Sequence, residues 1–238
     1  MKNKKWREFE RLAEECYLSM AGMGKGRECW HKAYEVLKEI IADGRSKQPD
    51  YSAELYQLDD DTDYCYDIQG WLEDYLDDVD MHEEHERLLK ICDELLELFQ
   101  WEEEYPSDIR FLKASALRNL GRMNDAEEFC RQWLADEPDN IVAATSAIYS
   151  SIAVRDLKGA EELIWKYLPE GTPCTEENDV LFTAAAVCYQ AIGNKKEKKR
   201  IDKALEEYEK SLEEYLLGGD DDDDVDLMWG DIDTEPPF

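Results

Sequence analysis

An apolar helix end, a glycine turn and the start of a second helix follow one another within Leu117-Arg118-Asn119-Leu120-Gly121-Arg122-Met123-Asn124-Asp125-Ala126. Glycine supplies the backbone freedom that a reversal of the chain needs. Before the turn, apolar residues recur at three- and four-residue spacings, as one buried face of a helix requires. They are Ile109, Leu112, Ala116, Leu117 and Leu120. After the turn the same spacing continues until Pro138 ends it, because proline cannot continue a helix. The stretch therefore predicts a helical hairpin.

Two later segments repeat this pattern. They read Val154-Arg155-Asp156-Leu157-Lys158-Gly159-Ala160 and Tyr189-Gln190-Ala191-Ile192-Gly193-Asn194-Lys195. The turn positions Gly121, Arg155 and Gly193 follow one another at intervals of 34 and 38 residues. Intervals near 34 residues are typical of proteins built from stacked helical repeats.

The first repeat, 107–140, resembles a tetratricopeptide repeat, a helix–turn–helix unit of about 34 residues. Its matching residues are small Ala114 and large apolar Leu117 on the first helix, Gly121 in the turn, small Ala126 on the second helix and Pro138 at its end. The second repeat, 141–174, keeps Ala160 and Tyr167 but has Arg155 in place of the glycine. The third, 175–217, keeps Ala186, Tyr189 and Gly193 and has Lys198 where alanine is usual. The resemblance covers roughly 107–210.

This resemblance implies an all-α, right-handed solenoid of antiparallel helical hairpins with a concave groove that binds a polypeptide. The groove residues that it implies are Phe111, Arg118, Thr145, Tyr149, Ile152, Thr183, Val187 and Gln190. The basic and asparagine side chains with which some tetratricopeptide proteins hold a terminal carboxylate are absent, so capture of a chain terminus is not expected. The alternative interpretation is that these side chains only fill the stack.

The N-terminal half is less regular but predicts two more hairpins, at about 5–43 and 63–102. In the second of these, we expect a helix from about 63 to 76 and a turn near Asp78-Val79-Asp80. Residues 50–61 are either a linker or an additional short helix. The predicted organisation is thus 1–102 as degenerate hairpins, 103–217 as tetratricopeptide-like repeats continuous with them, and 218–238 as a tail.

The chain of 238 residues carries a formal net charge of −31, from 59 acidic and 28 basic residues. Neutralising phosphates requires clustered lysine and arginine, so neither nucleic acid nor an anionic membrane is an expected partner.

Seven cysteines without a Cys-x-x-Cys pair are typical of a reducing compartment. The longest uncharged runs, Ile141–Val154 and Val180–Ile192, are shorter than the roughly 18 residues of a transmembrane helix. With no signal peptide evident, we expect a cytoplasmic protein.

The tail, 218–238, contains five consecutive aspartates, nine acidic residues in all and no basic one. Such a segment is predicted to be disordered alone, but Leu227, Met228 and Trp229 give it an apolar motif that orders on a partner. This motif is a candidate occupant of the chain's own groove. The only basic block follows the last turn and contains Lys195, Lys196, Lys198, Lys199 and Arg200. It is either a solvated surface or a docking site for an acidic segment.

Signals of chemistry are weak. His82 and His85 share a helix face but have no evident third metal ligand. Asp59, Asp61 and Asp63 alternate as in a calcium loop, yet that loop's glycine and final glutamate are missing. No base stands beside a recognisable nucleophile. We therefore predict no catalysis, no metal and no cofactor, and expect a scaffold that binds another protein or peptide, with basic partners favoured by the net charge. The alternative function is an acidic inhibitor that mimics nucleic acid or masks a basic protein surface.

Overall fold

A computed structural model describes residues 4–24, 26–103 and 106–217, with side chains as far as residue 215. The regular secondary structure of these ranges is entirely α-helical, which confirms the predicted fold class. The eleven helices within them are α1 (Lys4–Met20), α2 (Glu28–Arg45), α3 (Gln57–Asp60), α4 (Ile68–Met81), α5 (His85–Leu98), α6 (Ser107–Asn119), α7 (Met123–Asp136), α8 (Ile141–Ala153), α9 (Leu157–Tyr167), α10 (Asp179–Ile192) and α11 (Lys195–Leu217).

Helices α1, α4, α6, α8 and α10 end in the same type of turn. Its central residue has a left-handed backbone, and these residues are Gly22, Glu83, Gly121, Arg155 and Gly193. In each turn the amide of this residue donates to the carbonyl three residues back, and the next amide donates to the carbonyl five residues back. This pair of bonds satisfies carbonyls that a helix end leaves free. In four of the five turns the next helix begins two residues later, so the chain reverses within a very short connection.

The helices pack in chain order. From α4 to α11 each helix contacts the next, and α1 contacts α2. In addition, α6 contacts α8, and α8 contacts α10, so the first helices of successive hairpins lie side by side.

Aromatic side chains form the core of the N-terminal half. The Trp30 ring lies 5.6 Å from Trp71 and 6.0 Å from Tyr75, and Phe9 lies 5.0 Å from Trp71, measured between ring centroids. These large buried rings join α1 and α2 to α4. The same cluster of buried residues continues through α5 into α6 and α7, so the core passes without a break across the predicted division at residue 102.

The predicted bounds of the fourth helix are wrong. Residues 63 and 67, expected to be helical, have left-handed backbones, and the helix begins at Ile68. It also runs through the predicted turn, because Asp78 is buried and accepts from Arg27 Nε at 2.8 Å instead of facing solvent in a turn. Of the two alternatives for 50–61, the structure shows a short helix, α3. Within the described ranges, no helix combines the length and the apolar character needed to span a membrane.

Candidate protein-binding groove

The eight groove residues implied by the sequence lie on three helices that contact one another in order. Helix α6 carries Phe111 and Arg118, α8 carries Thr145, Tyr149 and Ile152, and α10 carries Thr183, Val187 and Gln190. Within each helix they are three, four or seven residues apart, spacings that place side chains on one face. We call this set the α6–α8–α10 face.

Three of these side chains meet. The Phe111 and Tyr149 rings lie edge to face with centroids 6.4 Å apart. The Arg118 guanidinium lies 6.0 Å from the Phe111 centroid and 5.8 Å from that of Tyr149. Aromatic faces attract a cation through the quadrupole of the ring. The structure therefore brings residues from α6 and α8 into one aromatic–cation cluster.

Arg118 also donates from Nη1 to the Ser150 hydroxyl at 3.1 Å, and no carboxylate among the described residues lies within 4 Å of it. Burial lowers the pKa of Arg118, and burial likewise raises that of Tyr149, an effect that the Arg118 charge opposes. A guanidinium has five N–H donors and stays charged in proteins. The half-buried Arg118 thus has donors to spare for a carbonyl or carboxylate of a ligand.

The two threonines of the face differ in exposure. Each donates its hydroxyl to the carbonyl four residues earlier, Thr145 to Ile141 at 2.8 Å and Thr183 to Asp179 at 3.1 Å. Thr145 is only 1% exposed, so neighbouring residues cover its side chain and it contributes no open surface to the face. Thr183 is exposed, and because its hydroxyl is already bonded, its methyl group remains for contact with a ligand.

Helix α10 presents an apolar strip that the sequence predicted only in part. Val187 is 41% exposed and Gln190 is exposed as well. Val180, seven residues before Val187, is 44% exposed on the same face and was missed. The seven-residue interval between Val180 and Val187 was the sequence signal that could have identified it. By contrast, Ser150 could not be identified as a partner of Arg118 without the packing of α6 on α8. No hydrogen bond or ion pair of the described residues joins the α10 members to those on α6 and α8.

The aspartate and histidine motifs that the sequence offered as metal sites make polar contacts within the protein. Asp59 is buried and accepts from the amides of Ile68 and Gln69, at 2.6 and 3.0 Å, so both carboxylate oxygens bind the start of α4. His82 Nδ1 lies 2.8 Å from the Asp78 carbonyl oxygen. Within the described part of the chain, no group of three or more histidine, cysteine or acidic side chains is arranged to hold a metal ion.

The basic block forms the first turns of α11, and the motif Leu227, Met228 and Trp229 lies outside the described residues.

Comparisons with known proteins add no further constraint on the groove. The chain matches no protein-family model, and the searches found neither a curated protein nor a solved structure with significant similarity to it.

Proposed function

We propose that this protein is a non-catalytic scaffold that binds a polypeptide on the α6–α8–α10 face. The observation that carries the proposal is the combination of exposed Val180 and Val187 on α10 with the half-buried cluster of Phe111, Arg118 and Tyr149 on α6 and α8, helices that pack side by side with α10 in the order α6, α8, α10. Exposed apolar residues in a row beside a polar anchor are typical of a recognition surface.

We also propose that the hairpins form a right-handed solenoid of the tetratricopeptide kind. Two observations support this arrangement. The turns at Gly121, Arg155 and Gly193 have one hydrogen-bond pattern at intervals of 34 and 38 residues. The first helices of three successive hairpins also contact one another. In a solenoid of this type those helices line the inner surface, where an extended ligand contacts several repeats.

The chemistry of the face indicates the kind of ligand. Burying an apolar side chain contributes about 1.5–3 kcal/mol, and several such contacts are needed to offset the entropy lost on association. The ligand would present apolar side chains to α10 and a carbonyl or carboxylate to Arg118. Contacts of this size correspond to an affinity near the micromolar range.

Selection from a library of random displayed peptides against the full-length chain tests the proposal. Val187→Asp should weaken binding of the selected peptides about tenfold or more, because an unpaired carboxylate is costly to bury against an apolar ligand. Leu212→Asp is the matched control, since Leu212 on α11 is 42% exposed against 41% for Val187. We expect the control to bind like the original chain. Equal effects of the two substitutions, or no effect of Val187→Asp, would refute groove binding.

The net charge of −31 favours a second candidate function, the masking of a basic protein surface. Binding of that kind depends on many exposed charges and weakens steeply as salt screens them. Titration with polylysine at increasing salt measures it directly. If the peptides selected above are themselves highly basic and dissociate by about 0.5 M salt, the masking function replaces the groove. Binding that survives this salt supports the groove.

A further inference from the structure

Two shallow depressions lie end to end along α11. The first, of about 440 Å³, lies between Trp165 on α9 and the first turns of α11. The second, of about 430 Å³, lies between the connection 171–174 and α11 as far as Ser211. Arg200 and Lys203 line both depressions. Together they form a continuous surface, the α11 trough, which runs from the start of α11 toward its C-terminal end.

Cations are concentrated on one side of this trough. Lys196, Lys199 and Lys203 follow one another at three and four residues and therefore share a helix face, and Arg200 lies next to Lys199 and lines the same trough. Three carboxylates, Glu170, Glu197 and Glu207, also line it. Four positive against three negative groups make the trough an unusual surface in a chain with a net charge of −31.

Several of these cations have unused capacity. Lys196 has a 93% exposed side chain and lies 3.9 Å from Glu197, which also accepts from Arg200 at 2.8 Å. Lys199 has no carboxylate within 4 Å among the described residues. The Nη2 atom of Arg200 is buried without a hydrogen-bond partner in the described structure. The exposed ammonium groups of Lys196 and Lys199 are therefore the ones open to an added carboxylate.

An aromatic ring borders the cations. Trp165 is 47% exposed although it stands in a helix that buries Ala160 and Ile164. A ligand that carries acids on one stretch and an apolar or aromatic stretch next to it would match both parts of the trough.

The chain contains such a segment, and it begins where α11 ends. Residues 218–238 hold nine acids and no base, and an aspartate run precedes Leu227, Met228 and Trp229. Lys203 stands 14 residues before Leu217, about 21 Å along the helix at about 1.5 Å per residue. An extended chain spans about 3.3 Å per residue, so about seven tail residues, ending at Asp224, cover this length.

The same measure applies to the far end of the trough. Lys196 is about 32 Å from Leu217 along the helix, which about ten extended residues cover, ending at Leu227. Trp229 follows two residues later, beside the position of Trp165. The order of acids and apolar residues in the tail therefore matches the order of cations and tryptophan in the trough.

We propose that the tail folds back along α11, with Asp224 and Asp226 against Lys203, Arg200 and Lys199 and with Trp229 against Trp165. Each exposed ion pair is weak, but the covalent connection supplies a high effective concentration. Elsewhere the acidic surface repels the tail. This site is separate from the α6–α8–α10 face and leaves that face open, in contrast to the sequence hypothesis in which Leu227, Met228 and Trp229 occupy the groove.

The indole N–H signal of Trp229 in a ¹H–¹⁵N spectrum of the full-length chain tests the proposal. It is assigned by its loss in Trp229→Phe. We expect the triple charge reversal Lys196→Glu, Lys199→Glu and Lys203→Glu to move this signal to its position in a free peptide of residues 218–238. The control reversal Lys32→Glu, Lys90→Glu and Lys158→Glu changes the net charge equally, also at exposed lysines, and should leave the signal in place.

Other outcomes overturn the proposal. A Trp229 signal that already matches the free peptide in the original chain shows an undocked tail. A signal that moves with Tyr149→Ala but not with the triple reversal places the motif in the groove. A signal that depends on protein concentration shows docking between copies. The circular dichroism of both triple variants is recorded alongside, and a shift that follows lost helicity instead of lost charge also counts against the proposal.

Discussion

Arg155 adopts a left-handed backbone, with φ of 65°, at the position where the neighbouring repeats have Gly121 and Gly193. A residue with a side chain pays about 1–2 kcal/mol for this conformation, which glycine adopts freely. The hydrogen bonds of the turn are nevertheless the same in all three repeats. The sequence departs from the repeat pattern here, but the backbone does not.

Substitution of Arg155 by glycine should therefore stabilise the fold. The relief of backbone strain exceeds the extra entropy that glycine gives the unfolded chain, which is about 0.5–1 kcal/mol, and we expect a net gain of roughly 0.5–1 kcal/mol. The mirror change Gly193→Arg should cost a similar amount, since a Cβ at residue 193 meets nothing within 4 Å and only the backbone is strained. Urea unfolding of the two variants measures both effects, and the same sign for both would contradict this account.

His31 links stability to pH. Its Nδ1 lies 2.9 Å from the Tyr75 hydroxyl, Arg87 contacts its Nε2, and Glu84 lies 4.0 Å away. Burial first, and then the charge of Arg87, lower the pKa of His31 below 6.5. As the pH falls, His31 thus becomes protonated near pH 6.5 in the unfolded chain and only at lower pH in the folded chain.

The stability that neutral His31 contributes is consequently full above about pH 6.5 and is lost as the pH falls toward the folded pKa. We expect His31→Gln to reduce the drop in the free energy of unfolding between pH 7.5 and 5.5, as measured by urea titration. His82→Gln removes an exposed histidine and serves as the control. If the two variants and the original chain lose stability in parallel, His31 is not the group responsible.

At the scale of elements, the start of α4 shows why some boundaries were predictable and others were not. The turns at Gly121 and Gly193 follow from glycine and local spacing. The segment before Ile68 is rich in aspartates, and the sequence read it partly as helix. The structure instead uses Asp59, nine residues upstream, to accept from the first amides of α4. Asp67 also caps α4 locally by accepting from the Gly70 amide at 3.4 Å. The contribution of Asp59, however, leaves no local pattern, and the expected boundary lies about five residues too early.

Removing the Asp59 carboxylate should lower the free energy of unfolding. Asp59→Ala should destabilise the fold by about 1–2 kcal/mol, because it removes the acceptor of the buried Ile68 amide and of the half-buried Gln69 amide. Asp61→Ala, two residues on and exposed, should cost less than about 0.5 kcal/mol. Thermal unfolding of both variants makes the comparison. Added calcium should not raise the melting temperature of the original chain, and a clear increase would restore the calcium-loop interpretation of Asp59, Asp61 and Asp63.

At the scale of the whole molecule, several half-buried cations join separate parts of the chain through a carboxylate. Arg27 pairs with Asp78, Lys38 with Glu94, Arg110 with Glu137 and Lys113 with Asp93. Arg118 departs from this pattern, since it rests between two aromatic rings without a carboxylate within 4 Å in the described structure. Acids are abundant in this chain, and their absence here is what makes Arg118 the polar anchor of the proposed groove.

The sequence foresaw the class of the fold and the three helices of the candidate face because both depend on periodic apolar residues. It could not foresee which side chains are open. Thr145 and Thr183 occupy similar places in the repeat, yet one is buried and the other exposed. Thr145 stands on α8, which packs between α6 and α10. Thr183 stands on α10, which among the first helices of the described hairpins contacts α8 alone.

Site-specific photo-crosslinking tests the central claim most directly. A benzophenone amino acid is placed in the full-length chain at Tyr149 or Val187 on the candidate face, and at Met81 or Tyr215 as exposed positions elsewhere. A peptide selected for binding is then irradiated with each version. We expect covalent attachment at residues 149 and 187 and none above background at 81 and 215. Attachment at 81 or 215 with none at 149 and 187 would show that the ligand binds another surface.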